Sequence, residues 1–123
     1  MNALDKADAL KERTKQFAIR IVAVSRSLPR SREADVIDKQ LLRSGTAVAA
    51  NYRAVCRARS KAEFISKISI VVEEADETVF WLELLGDTGL APAGKLVLLL
   101  KEANELVAIC AASLRTAKNN KVA

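Results

Sequence analysis

There is no histidine in this 123-residue chain. That absence removes Ser-His-Asp and Cys-His catalysis, the HExxH zinc site, and the Glu-x-x-His ligands of di-iron helical bundles. Cysteine is nearly as scarce. Cys56 and Cys110 lie far apart without CxxC spacing, so both read as buried free thiols rather than a disulfide or metal site. Glycine (four), proline (two) and aromatic residues (4%) are all sparse, and the turn-bounded aromatic and β-branched runs that strands need are missing. The longest aliphatic run, LVLLL, is far too short to cross a bilayer. The opening MNALDKADALK mixes charges and lacks the apolar stretch of a signal peptide. These gaps lead to the expectation of a cytoplasmic, all-α protein with no membrane association, no metal and no cofactor.

What is present is apolar and charged. Half the residues are hydrophobic and the formal net charge is +5. The charge is segregated. Residues 1–61 carry 14 Lys/Arg against 6 Asp/Glu, residues 62–92 carry 1 against 7, and residues 93–123 carry 5 against 2. A basic half beside an acidic segment points to complementarity within a bundle or between subunits, with positive charge left over for an anionic partner.

Apolar residues at 3-4 spacing mark four helices in one domain spanning 1–123. The first covers about 3–28, with Leu10, Thr14, Phe17, Ile21, Val24 and Leu28 as its seam, and Pro29 ends it. The second covers about 32–58 on Ile37, Leu41, Ser44, Val48, Tyr52 and Val55. The third covers about 61–86, where Ser60 and Glu63 have the spacing of a capping box. Its seam is Phe64, Ile68, Val71, Ala75, Leu82 and Leu85, with Thr78 as a polar interruption. The fourth covers about 92–118 on Leu96, Leu99, Ala103, Leu106, Cys110 and Ala117. Gly86 or Gly89 suits a left-handed cap before it, Pro92 suits its first turn, and the tail KNNKVA is expected to fray. Short loops between helices of this length imply an up-down-up-down, antiparallel four-helix bundle.

The third helix holds more apolar surface than one bundle stripe uses. Phe80, Trp81 and Leu84 lie on its other faces, near the acids Glu73 and Glu77. These five residues are the expected oligomer interface. The acidic run Glu73, Glu74, Asp76, Glu77 scatters over more than one helix face, so it reads as a solvated or subunit-paired surface and not as a metal cluster. GLAPAGKL, residues 89–96, nearly matches a phosphate loop. Leu96 stands where the magnesium-holding hydroxyl belongs and no strand precedes it, so it reads as a helix–helix turn. No lysine is singled out as a nucleophile, and no enzymatic activity is expected.

The basic residues are the better signal. Arg43, Arg53 and Arg57 share a stripe of the second helix, Arg59 and Lys61 extend it into the loop, and Lys67 follows in the third helix. Arginine's planar fork bonds two phosphate oxygens at once. Arg43, Arg53, Arg57, Arg59 and Lys61 are the candidate nucleic-acid contacts. With few aromatics to stack bases, such contacts imply backbone recognition with low sequence specificity for RNA or DNA. The alternative is a protein–protein adaptor whose arginines pair with the acidic helix of an adjacent subunit.

Between those arginines runs SGTAVAAN, whose small residues suit close approach of a neighbouring helix or subunit. From Gln40 to Leu85 the chain resembles the bacterial four-helix-bundle proteins related to the 23S rRNA intervening-sequence protein, a group that also includes the accessory variability protein of diversity-generating retroelements. The resemblance rests on Gln40, Leu41, Arg43, Ser44, Ala50 and Asn51, then on Ser60, Glu63, Phe64, Glu74, Ala75, Glu77, Trp81 and Leu82. It implies a homopentameric ring with a basic surface for nucleic acid and no established catalysis. Many relatives carry a glutamate shortly after the asparagine, where this chain has Ala54, and some carry a glycine where it has Val55. Without that acid, the end of the second helix is more basic.

Overall fold

Each helix begins and ends where a local hydrogen bond or a backbone constraint puts it. The computed structural model describes residues 2–120 and contains α1 (Ala3–Ser27), α2 (Arg32–Cys56), α3 (Lys61–Asp87) and α4 (Ala93–Asn119), with no strand among the described residues. The Asn2 side chain accepts the Asp5 N–H at 2.9 Å and caps α1. Leu28 is extended ahead of Pro29, so α1 stops one residue before the expected end. Ser31 caps α2 by accepting the Ala34 N–H at 3.2 Å.

The structure corrects the other helix ends by a residue or two. α2 stops at Cys56, not Ala58, because the N–H groups of Arg57 and Ala58 turn to the Ala54 and Val55 carbonyls, both at 3.1 Å. These three-residue bonds tighten and close the last turn. α3 runs to Asp87, with Gly86 helical, and the left-handed residue is Gly89 (φ 74°). Pro92 sits just before α4 in an extended conformation rather than in its first turn. Within the tail expected to fray, Lys118 and Asn119 are helical and the Asn120 N–H bonds the Thr116 carbonyl at 3.0 Å. Residues 121–123 lie outside the described residues.

The four expected seams form the core. Phe17 and Ile21 from α1 meet Leu41, Val48 and Val55 from α2, Ile68, Val71 and Leu82 from α3, and Leu99, Leu106 and Cys110 from α4. Among the described residues, three polar side chains are fully buried, and each has a partner. Thr14 donates to the Lys11 carbonyl at 2.9 Å. Ser44 and Thr78 bond each other across the α2–α3 seam at 2.9 Å. Two polar interruptions in separate seams thus satisfy one another, so neither is left costly in an apolar core.

Neighbouring helices pack along their length, giving the all-α antiparallel bundle, while α1 and α4 approach each other least. Their seam is bridged by Arg13, whose Nε and Nη2 donate to the two carboxylate oxygens of Glu102, both at 2.7 Å. Toward the end of the bundle holding the α1 N-terminus, the seam opens into an apolar groove of about 660 Å³ walled by Leu10, Tyr52, Phe64 and Ile109. The small residues of α2 serve both flanks. Ser44 faces α3 through Thr78, and buried Gly45 faces Ile21 of α1.

Candidate functional site

The chain reverses at the end of α2, and that reversal gathers its cations. Arg53 lies in the last turn of α2, Arg57 is its C-cap and Arg59 is in the loop. Cations are favoured at that helix end by the backbone dipole. Ser60 then starts α3 by accepting the Glu63 N–H at 3.0 Å. The Glu63 carboxylate reaches back to the Arg59 N–H at 3.3 Å, one residue before the cap, so the box closes one position earlier than the sequence pattern suggests. This fold-back brings Lys67 of α3 alongside the arginines.

Arg53, Arg57, Arg59 and Lys67 surround one shallow concavity of about 530 Å³, floored by Ala50 and Ala54. Glu63 is the single carboxylate in its lining. Among the described residues, none of the four cations forms an ion pair. Four unpaired cations over a floor of small side chains can hold anionic oxygens. Among the described residues, no group of three or more His, Cys, Asp or Glu could hold a metal ion.

The five expected contact residues do not stay together. Arg53, Arg57 and Arg59 share the concavity, whereas Arg43 is committed elsewhere. Its guanidinium bonds Glu74 at 3.1 Å and also Glu77, and its Nε donates to Gln40 at 3.1 Å. Glu77 in turn accepts the Trp81 indole N–H at 3.1 Å. The acids that meet Arg43 are those of its own α3, because α2 and α3 present opposite charges where they pack. Lys61 lines an adjoining concavity, and its ammonium bonds the Asn120 carbonyl.

The expected interface residues also divide. Phe80 is 53% exposed and lies edge-on to Trp81, with ring centroids 4.8 Å apart. Trp81 and Leu84 are half-buried against the core, Glu73 is exposed, and Glu77 is held by Arg43 and Trp81.

The two cysteines differ, which corrects the reading of both as buried. Cys110 is fully buried, and desolvation pushes its thiol up to about 11. Cys56, the last residue of α2, faces outward and is exposed.

One residue at this end was counted only as core. Phe64 is half-buried and forms part of the wall of three separate concavities. A seam residue in the first turn of a helix has no further layer of the bundle to cover it. Its position only four residues beyond the Ser60 cap is the signal that could have revealed this.

A family model described as the 23S rRNA-intervening sequence protein matches residues 8–112. The chain is also similar to a crystal structure from Bacteroides thetaiotaomicron, a protein with unknown function from the S23 ribosomal protein family. The identity is 35% and the TM-score 0.79, over 85% of this chain and 96% of that one. No curated protein sequence matches.

Proposed function

The chain belongs to the 23S rRNA-intervening sequence protein family, and from that premise we propose that it is a non-enzymatic homo-oligomer that binds nucleic acid through phosphates. The observation that carries the reading is the cluster of Arg53, Arg57, Arg59 and Lys67 around one concavity with a single acid in its lining. Surface arginines in a helical bundle are commonly matched by acids one turn away. Here Arg43 and Arg13 are matched instead by acids across helix seams, whereas among the described residues these four cations have no ion-pair partner. Ala54 on the floor of the concavity supports the same reading. A glutamate there, as the resemblance leads one to expect, would bring a second carboxylate among the cations.

Self-association rests on α3. Phe80 is exposed on an outer face where Trp81 and Leu84 add apolar surface, and a face of that kind gains from being covered by another copy. A pentameric ring is what the resemblance to ring-forming bundle proteins, the accessory variability proteins of retroelements among them, would imply. A cytoplasmic location belongs to the same proposal. No helix in the described residues is long and apolar enough to cross a membrane.

Filter retention of generic RNA or DNA against salt tests the reading. If each chain neutralises about four phosphates, the log–log slope is roughly −2.8 for a single strand and −3.6 for a duplex, and affinity falls about 50- to 150-fold between about 50 and 200 mM salt. Absence of retention at the lower salt sinks the proposal.

A further inference from the structure

Phosphate contacts alone do not distinguish a duplex from a single strand. What separates them is whether a base face meets the protein, since a duplex keeps its bases stacked and a single strand offers them. The arginine concavity itself has no aromatic side chain in its lining. Its neighbour does.

The adjoining concavity, about 490 Å³, is walled by Tyr52, Cys56, Arg59, Ser60, Lys61 and Phe64. Arg59 lines both concavities, so the cationic strip from Arg53 continues without a break to the Phe64 ring. Tyr52 is 7% exposed and cannot serve as a platform, while Phe64 lines three concavities at this end of the bundle. Lys61 gives a hydrogen bond to the Asn120 carbonyl, and its ammonium has two further donors.

From this juxtaposition we propose that this end of the bundle binds single-stranded nucleic acid, with one base stacked against Phe64 and the adjacent phosphate held by Arg59 and Lys61. The inference rests on the nucleic-acid reading above and sharpens it from any polyanion to an unpaired strand. Arg53, Arg57 and Lys67 then track the next phosphates. Base–aromatic stacking is tolerant of sequence because every base has a π-face, so the low specificity expected from the sequence is kept.

Fluorescence anisotropy tests it with the full chain and three labelled probes of about twelve nucleotides: an oligouridine, an oligothymidine and a duplex RNA. The wild type should bind both single strands more tightly than the duplex. A preference for oligouridine over oligothymidine that persists against oligodeoxyuridine, which lacks only the 2′-hydroxyl, would assign the ligand to RNA. Phe64→Leu keeps an apolar side chain but removes the ring. It should weaken single-strand binding by about 5- to 150-fold, the range of one stacked base. Duplex affinity and the salt slope should stay unchanged. Phe64→Trp preserves a platform and should retain single-strand affinity, which keeps the test decisive if the leucine variant folds poorly. The inference is overturned if folded Phe64→Leu binds single strands like the wild type, or if folded Phe64→Trp loses them. A wild type that binds no probe at low salt overturns the nucleic-acid reading itself. A wild type that binds strand and duplex equally overturns only the stacking site.

Discussion

Replacing Gly45 with alanine tests the packing account, because two large effects oppose each other there. In a free helix the substitution should stabilise by about 1 kcal/mol, since glycine is the weaker helix former. In this bundle the new Cβ would lie 2.8 Å from both Cγ atoms of Ile21 and 3.2 Å from its Cβ. Ile21 is fully buried, and its clashing atoms sit at the branch point of a side chain that is stiff in a helix. Relief therefore requires α1 to move off α2, and overpacking of this kind costs about 1–3 kcal/mol. The net expectation is a loss of about 0–2 kcal/mol, or a melting temperature up to roughly 8 °C lower. Ile21→Ala removes both clashing Cγ atoms at its own cost of about 2–5 kcal/mol. In that background Gly45→Ala should stabilise, because the propensity gain remains and the clash is gone. Urea unfolding followed by circular dichroism across the four proteins gives the coupling, expected at about 1–3 kcal/mol. If Gly45→Ala stabilises the wild type by the full helix-propensity amount and the two effects simply add, the close approach of α1 and α2 is wrong.

Three further outcomes follow from other parts of the molecule. The side-chain bond from Arg13 holds the Glu102 carboxyl below its ordinary pKa, so the pair's contribution is present at neutral pH and lost as pH falls through the folded-state value. Arg13 is more than a third exposed, so Arg13→Met should cost no more than about 1 kcal/mol at pH 7, and that difference should shrink in melts run below the carboxylate range. Thiol titration of the native protein should find one fast cysteine per chain, Cys56, and a second only in denaturant, since Cys110 is buried with its pKa pushed up to about 11; two fast thiols would contradict the core packing. Ala54→Glu should weaken RNA retention at low salt by about tenfold without lowering thermal stability, as expected for a carboxylate placed among unpaired cations; unchanged retention would place the binding surface elsewhere.

The fold was readable because its signal is periodic. Seam residues from Thr14 and Phe17 to Leu106 and Cys110 recur at helical spacing, and burial follows that spacing. What depends on the register between helices was not readable. Ser44 and Thr78 look like two separate flaws until α2 and α3 are set side by side, and then each answers the other. Arg43 looks like its fellow arginines in a one-dimensional stripe, but only Arg43 faces Glu74 and Glu77. The missing layer that opens Phe64 is likewise a property of how helices meet at the end of the bundle.

In the proposed function, Arg53 and Arg57 meet phosphate and not a neighbouring subunit's carboxylates. Light scattering and RNA retention of Arg53→Glu/Arg57→Glu, measured side by side, address it most directly. An oligomer of unchanged mass that no longer retains RNA at low salt is expected. An oligomer that falls apart would show that these arginines hold subunits together and would contradict that proposal.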